Sequence, residues 1–223
     1  MIKIKHALML EKGFTLVEVA IVLVIVGLMM SAFLMPLSAQ LEQRQRAETR
    51  AILEQAKEAL VGYAIVNKYL PCPDTQATPT GIEGGRTANQ CTNPEGVLPW
   101  QALGVSGQDG WGRYIRYRVT PAFSNTSTFF TLATPGTITV NSDISTLTNS
   151  AAAVLISHGL NGLGAVQMSA ATSTDEQINT DGNAVFMSHT PTPQGSANEF
   201  DDQVDWLSPN ILFNRMVSAG KLP

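Results

Sequence analysis

Basic residues are scarce in this chain: 14 Lys and Arg stand against 18 Asp and Glu in 223 residues, for a formal charge of −4. That balance disfavours nucleic acid as a partner, because neutralising phosphates supplies most of the affinity of DNA and RNA binders. The one basic cluster, Arg113, Arg116 and Arg118, alternates with apolar residues in an apparent strand and reads as a solvated face. Cysteine is nearly missing too. Cys72 and Cys91 have no histidine near them in sequence, so a thiolate metal site or a catalytic cysteine is a poor fit. There is no GxSxG elbow, and Gly159, Gly162 and Gly164 have the reverse of dinucleotide-binding spacing. Ser157 and His158 with Asp175, Asp181 or Asp202 form a hydrolase triad only on paper. The expectation is a chain that is not an enzyme.

Charge is also missing from one long run. From Phe14 to Met35 there are 22 residues with a single ionisable side chain, Glu18. At about 1.5 Å per residue such a helix crosses a hydrocarbon core of roughly 30 Å. An acid inside it is costly unless a partner is supplied. An ordinary signal peptide accounts for the basic Lys3, Lys5 and His6 and for a small-residue cut after Ala39. Its apolar core is usually about 7–15 residues, though, and an internal charge is unfavourable there. A plain single-span anchor needs neither Gly13 nor the amphipathic stretch that follows. Cleavage after Gly13 instead leaves the α-amino group of Phe14 one helical turn from Glu18, a ready counter-charge.

Gly13, Phe14 and Glu18, the glycine, the hydrophobic first residue and the glutamate at position five, resemble the processing motif of the type IV pilin superfamily, which includes the pseudopilins of type II secretion. The resemblance implies a prepilin peptidase that cuts after Gly13 and methylates Phe14. It implies a contact between Glu18 and the amino terminus of an adjacent subunit during filament assembly, and as partners other pilin or pseudopilin subunits, an inner-membrane platform and a cytoplasmic ATPase. A minor or tip pilin acting as a binding module, or a simple membrane-anchored periplasmic protein, is the alternative.

The expected organisation is a leader at 1–13, a transmembrane and assembly helix at 14–36, an amphipathic helix half at 37–70 and a periplasmic globular domain at 71–223. Removal of the leader leaves 11 basic and 17 acidic side chains. By the positive-inside rule the amino terminus is cytoplasmic and the rest is exported through the inner membrane. An exported Cys72 and Cys91 invite a disulfide across a Pro-, Gly- and Thr-rich loop, 71–99. Ile52, Ala56, Leu60, Tyr63 and Ala64 form an apolar stripe at helical spacing, and Pro71 and Pro73 end that helix. Strand-like runs follow at Tyr114–Thr120, Thr128–Ala133, Thr137–Val140, Ala152–Ser157 and Ala184–Ser188, while 141–150 and 166–183 read as mobile surface loops. Ser208, Pro209 and Gly220 bracket a short carboxy-terminal helix. The fold class is therefore α+β: a long amino-terminal helix packed on a small antiparallel sheet, with a short carboxy-terminal helix.

Three further motifs resemble the major pseudopilin of type II secretion: Asp109-Gly110-Trp111-Gly112 before Tyr114, Ser157 to Gly162 with Asn161-Gly162, and Asp201-Asp202 before Trp206. That resemblance implies a calcium site at the acidic turn, with Asp201, Asp202 and Glu199 or Asp205 as oxygen ligands. A solvated acidic turn is the bland reading. The helix expected after Trp206 fits a minor or specialised subunit at least as well as a major one, and His158 and His189 read as turn or surface residues.

Overall fold

The structure, a computed structural model, describes residues 13–222 except Ala197, with the backbone alone for residues 31–38. The expected leader thus lies outside the described residues except for Gly13. Helix α1, Leu16–Asn67, contributes to two compact units, one ending at Gln43 and one running Arg44–Pro223. In the first unit every described residue of Gly13–Met30 is exposed. Among the described residues, no helix is long and apolar enough to cross a membrane. The expected span 14–36 runs into residues whose side chains are not described.

In the second unit the expected stripe becomes the helix face of the core. Leu53, Ala56, Leu60, Val61 and Ala64 are buried against the sheet, with Ile52 and Ile65 packed at the edge of the cluster. The fully buried Ala56 and Ala64 add no side-chain bulk between helix and sheet. α1 ends at Lys68, which takes a left-handed φ of 68° and donates its backbone N–H to Ala64 O.

Nine strands follow among the described residues. β1 (Arg86–Thr87) and β2 (Gln90–Cys91) pair alone. β3 (Glu95–Val97), β4 (Arg116–Val119), β7 (Ala153–Ser157) and β9 (Gln203–Leu207) form an antiparallel sheet in that order. β6 (Thr146–Ala151), β5 (Ile138–Asn141) and β8 (Val185–Met187) form a second sheet, in which β5 and β8 run parallel. The parallel pair departs from the expected all-antiparallel sheet. It is permitted by the long connection between β5 and β8, since parallel neighbours need a crossover of about a dozen residues or more. Within that connection lies the short helix α3 (Thr174–Ile178), and an earlier one, α2 (Trp100–Leu103), precedes β4.

β7 is buried at every residue because it is covered on both faces. Ala153 and Leu155 join the α1 core, with Ile115, Tyr117, Val119, Leu207 and the Leu212, Phe213 and Met216 face of helix α4 (Pro209–Ser218). Val154 and Ile156 join a second core with Ile138, Val140, Ala151 and Phe186. Pro209 opens α4 behind Ser208, which occupies the N-cap position but makes no side-chain cap bond.

Three sequence expectations change. Thr128–Ala133 is not a strand: Asn125 Oδ1 accepts from Ser127 N and Thr128 N, and Thr134 Oγ1 accepts from Thr131 N, so side chains take the donors a ladder would use. The segments 141–150 and 166–183 contain β6 and α3. Arg116 and Arg118 do not form a solvated face: both pair with Glu95 across β3 and β4 at 2.6 Å.

Candidate functional site

Glu18 lies in the first turn of α1, three residues after Thr15. The Thr15 backbone N–H donates to Glu18 Oε2 at 3.3 Å, the Thr15 hydroxyl donates to the same oxygen at 3.4 Å, and the Glu18 N–H donates to Thr15 Oγ1 at 3.2 Å. This reciprocal pattern is a capping box: hydroxyl and carboxylate satisfy donors that the start of a helix leaves without partners. Beyond it, Leu16, Val17, Ile21, Leu23, Val24, Leu28, Met29 and Met30 remain exposed on all sides of the helix. An apolar surface of that extent calls for a cover of lipid or of other helices.

The described geometry thus joins a capped, carboxylate-bearing helix start to a bare apolar helix. A family model for the prokaryotic N-terminal methylation motif matches residues 8–34. The chain carries the type IV pilin-family signature. The signature implies processing by a prepilin peptidase and assembly with other pilin subunits, and it points to a structural protein rather than an enzyme. No curated protein and no solved structure matches the chain. The pilin signature covers the helix start alone; the chemistry of the second unit rests on its own geometry.

There the three further motifs meet. Asp109 accepts from Trp111 N and Arg113 N at 2.9 Å and from the buried Ser157 hydroxyl at 2.6 Å, joining the Asp-Gly-Trp-Gly turn to the end of β7. Gly110 packs so closely on α1 that a Cβ would lie 2.6 Å from Gln45 O, and its N–H donates to the buried Thr49 hydroxyl. The Arg113 guanidinium donates to Gly159 O and to Leu160 O, fixing the loop that follows Ser157. Asn161 N then donates to Asp201 Oδ2 at 2.8 Å, which brings the acidic turn to the same place.

His158 is fully buried rather than at a surface turn. Arg116 Nε can only donate, and it donates to His158 Nε2 at 3.2 Å, so the proton of the neutral ring sits on Nδ1, 3.3 Å from Asp202 Oδ1. Ser157 donates its hydroxyl hydrogen bond to Asp109 rather than to the imidazole, so the paper triad is not assembled. His189 stacks on Phe200 with ring centroids 3.9 Å apart and lies 3.2 Å from Asp175.

Glu176, Asp201 and Asp202 can bring one carboxylate oxygen each to within 4.8 Å of one another, and all three residues are buried. Asn161 Nδ2 donates to Glu176 Oε1 and to Glu199 Oε1 at 3.0 Å, Asp201 N donates to Glu176 Oε1 at 3.2 Å, and Asn179 Nδ2 donates to Asp202 Oδ2 at 2.8 Å. Glu176 Oε2 and Asp201 Oδ1 are buried with no hydrogen-bond partner. Gly159, at φ 50°, leaves the space that Asp201 Oδ1 fills; a Cβ there would lie 2.2 Å from that oxygen. Burial pushes Asp201 up to about 6 and also raises Glu176, each with a neighbouring carboxylate adding to the shift. Glu199, by contrast, is half-buried, and bonds from Gly195 N and Asn161 hold its carboxyl below the usual range. Asp205 pairs with Lys57 at 2.8 Å.

Of the four acids expected at the turn, Asp201 and Asp202 come together, Glu199 bonds to Asn161 beside them, and Asp205 faces α1. Glu176 was not legible as a site residue. Its signal was Ser173-x-x-Glu176, the spacing of a capping box, of which only the hydroxyl half is made: Glu176 N donates to Ser173 Oγ. Two orphaned carboxylate oxygens in an all-oxygen set fit a hard divalent cation. Cys72 and Cys91 form the expected disulfide, and Glu83 Oε1 accepts from Cys72 N.

Proposed function

We propose that this chain is a structural subunit of a type IV pilin-like filament, a type II secretion pseudopilus or a type IV pilus. It is inserted in the inner membrane, cut after Gly13 with methylation of Phe14, and polymerised through its apolar helix. The observation that carries the reading is the coincidence, at one helix start, of the methylation motif, a single carboxylate and an apolar surface left bare around the helix. In this account Glu18 caps its own helix before assembly and then neutralises the Phe14 amine of a neighbouring subunit, which lowers the cost of both charges in lipid and sets the axial register. The test is incorporation: Glu18→Gln and Glu18→Ala subunits, co-expressed with native ones, should be depleted from sheared filaments while still being processed. Equal incorporation contradicts the register role.

A second part of the proposal concerns the acidic turn. We infer that a calcium ion sits at the buried carboxylates, and the observation favouring it is the pair of orphaned oxygens on Glu176 and Asp201. Bound there, the ion would offset carboxylate charge that burial otherwise penalises. Calcium added to metal-free processed protein should raise its unfolding midpoint, and sodium at equal ionic strength should not. No calcium-specific shift contradicts the site.

A further inference from the structure

We propose that Glu176, carried on α3, is a cation ligand supplied by the segment between the Ser157–Gly162 loop and the acidic turn, and that the ion is the staple holding α3 and β8 in place. This rests on the calcium reading of the carboxylate cluster. It goes beyond that reading by naming which side chain completes the site and what the ion secures.

The segment is polar, and its helix has five residues, too few to hold itself together in water. β8 contributes three residues and meets β5 in a parallel ladder. Yet Glu176, in the middle of this segment, is fully buried. One of its oxygens is bound by Asn161 Nδ2 and Asp201 N and the other is buried with no donor, and a carboxylate oxygen of Glu176 lies within 4.8 Å of oxygens of Asp201 and Asp202. A glutamate buried this way adds repulsion unless a cation stands between the groups. Asn179, one residue past α3, carries the link onward. It donates to Asp202 Oδ2, and its side chain also brackets the edge of β8, accepting from Met187 N at 2.7 Å and donating to Met187 O at 3.1 Å. The path therefore runs from the ion through Glu176 and Asp202 to α3, Asn179 and β8, and Phe186 of β8 closes the second core over Val154 and Ile156. Glu199 is half-buried and has both oxygens engaged, Oε1 by Asn161 and Oε2 by Gly195 N at 2.7 Å, which leaves Glu176, with one oxygen free of donors, as the third ligand. A cleft of about 390 Å³, lined in part by Arg46, Arg50, Lys57, Asp202 and Gln203, lies beside the cluster.

The experiment uses the processed full chain in detergent, with calcium chloride as the probe. Amide exchange is compared in calcium and in EGTA, and calcium affinity is titrated for native, Glu176→Gln and Glu199→Gln proteins. The expected result is that EGTA speeds exchange across residues 174–187 by about tenfold or more while β4 and α4 are unaffected. Glu176→Gln should weaken calcium by about tenfold or more, and Glu199→Gln by less than about threefold. If native protein binds calcium but exchange at 174–187 is indifferent to it, or if Glu176→Gln binds as tightly as native, the staple is overturned while the calcium site stands. If folded native protein binds no calcium, both fall. The comparison on native protein needs no variant to fold.

Discussion

Asp109 is the side chain on which the convergence of motifs in the second unit depends, and its removal has a calculable cost. Its carboxylate is 6% exposed and accepts three hydrogen bonds, from Ser157 Oγ at 2.6 Å and from Trp111 N and Arg113 N at 2.9 Å. A hydrogen bond to a charged group contributes about 1.5–3 kcal/mol. In Asp109→Ala the Trp111 and Arg113 amides regain part of this from water, because their residues are only half-buried. Ser157 is fully buried and keeps only the Gly159 N–H as a partner, at 3.3 Å. The expected loss is about 3 kcal/mol. Asp109→Asn retains an oxygen for the two backbone donors and turns an N–H toward Ser157, whose hydroxyl can accept it, so about 1 kcal/mol is lost. Urea unfolding of the processed chain in detergent, followed by tryptophan fluorescence, measures both. A loss below about 1 kcal/mol for Asp109→Ala, or equal losses for the two variants, refutes the reasoning.

Thr15→Val keeps the shape of the side chain and removes the cap, so the first turn of α1 should lose about 1 kcal/mol. Amide exchange at Glu18 in micelles should speed by about fivefold; an unchanged rate contradicts the capping role. Replacing Cys72 and Cys91 together by Ser opens a loop with a sequence separation of 19 residues and should cost about 3 kcal/mol in urea unfolding. An unchanged midpoint would show that β1, β2 and the Glu83 bonds hold that loop without the bridge.

What the sequence revealed follows from where each signal resides. The α1 stripe, the alternation of Ile115, Tyr117 and Val119, and the Pro209 helix are local patterns, and the structure has all three. β6 was hidden because Thr146–Ser150 has a single apolar residue, Leu147, and is exposed or half-buried throughout, so it lacks an alternating apolar face. β3 is three residues long with a central glycine, and β9 is disguised by Asp205, which turns to Lys57 on α1. The burial of His158 and Glu176 was not legible because burial of a titratable group depends on partners distant in sequence: Arg116 for the imidazole, Asn161 and Asp201 for the carboxylate. At the helix start the information is wholly local. Gly13, Phe14 and Glu18 stand within six residues, which is why the processing motif was legible and the cation ligands were only partly so.

The central claim is that residues 13–18 direct how this chain is made and assembled. Intact mass of the mature protein from the membrane fraction tests it most directly. The account predicts a chain beginning at Phe14 and carrying one added methyl group. A chain beginning at Gln40, or one still carrying residues 1–13, contradicts it.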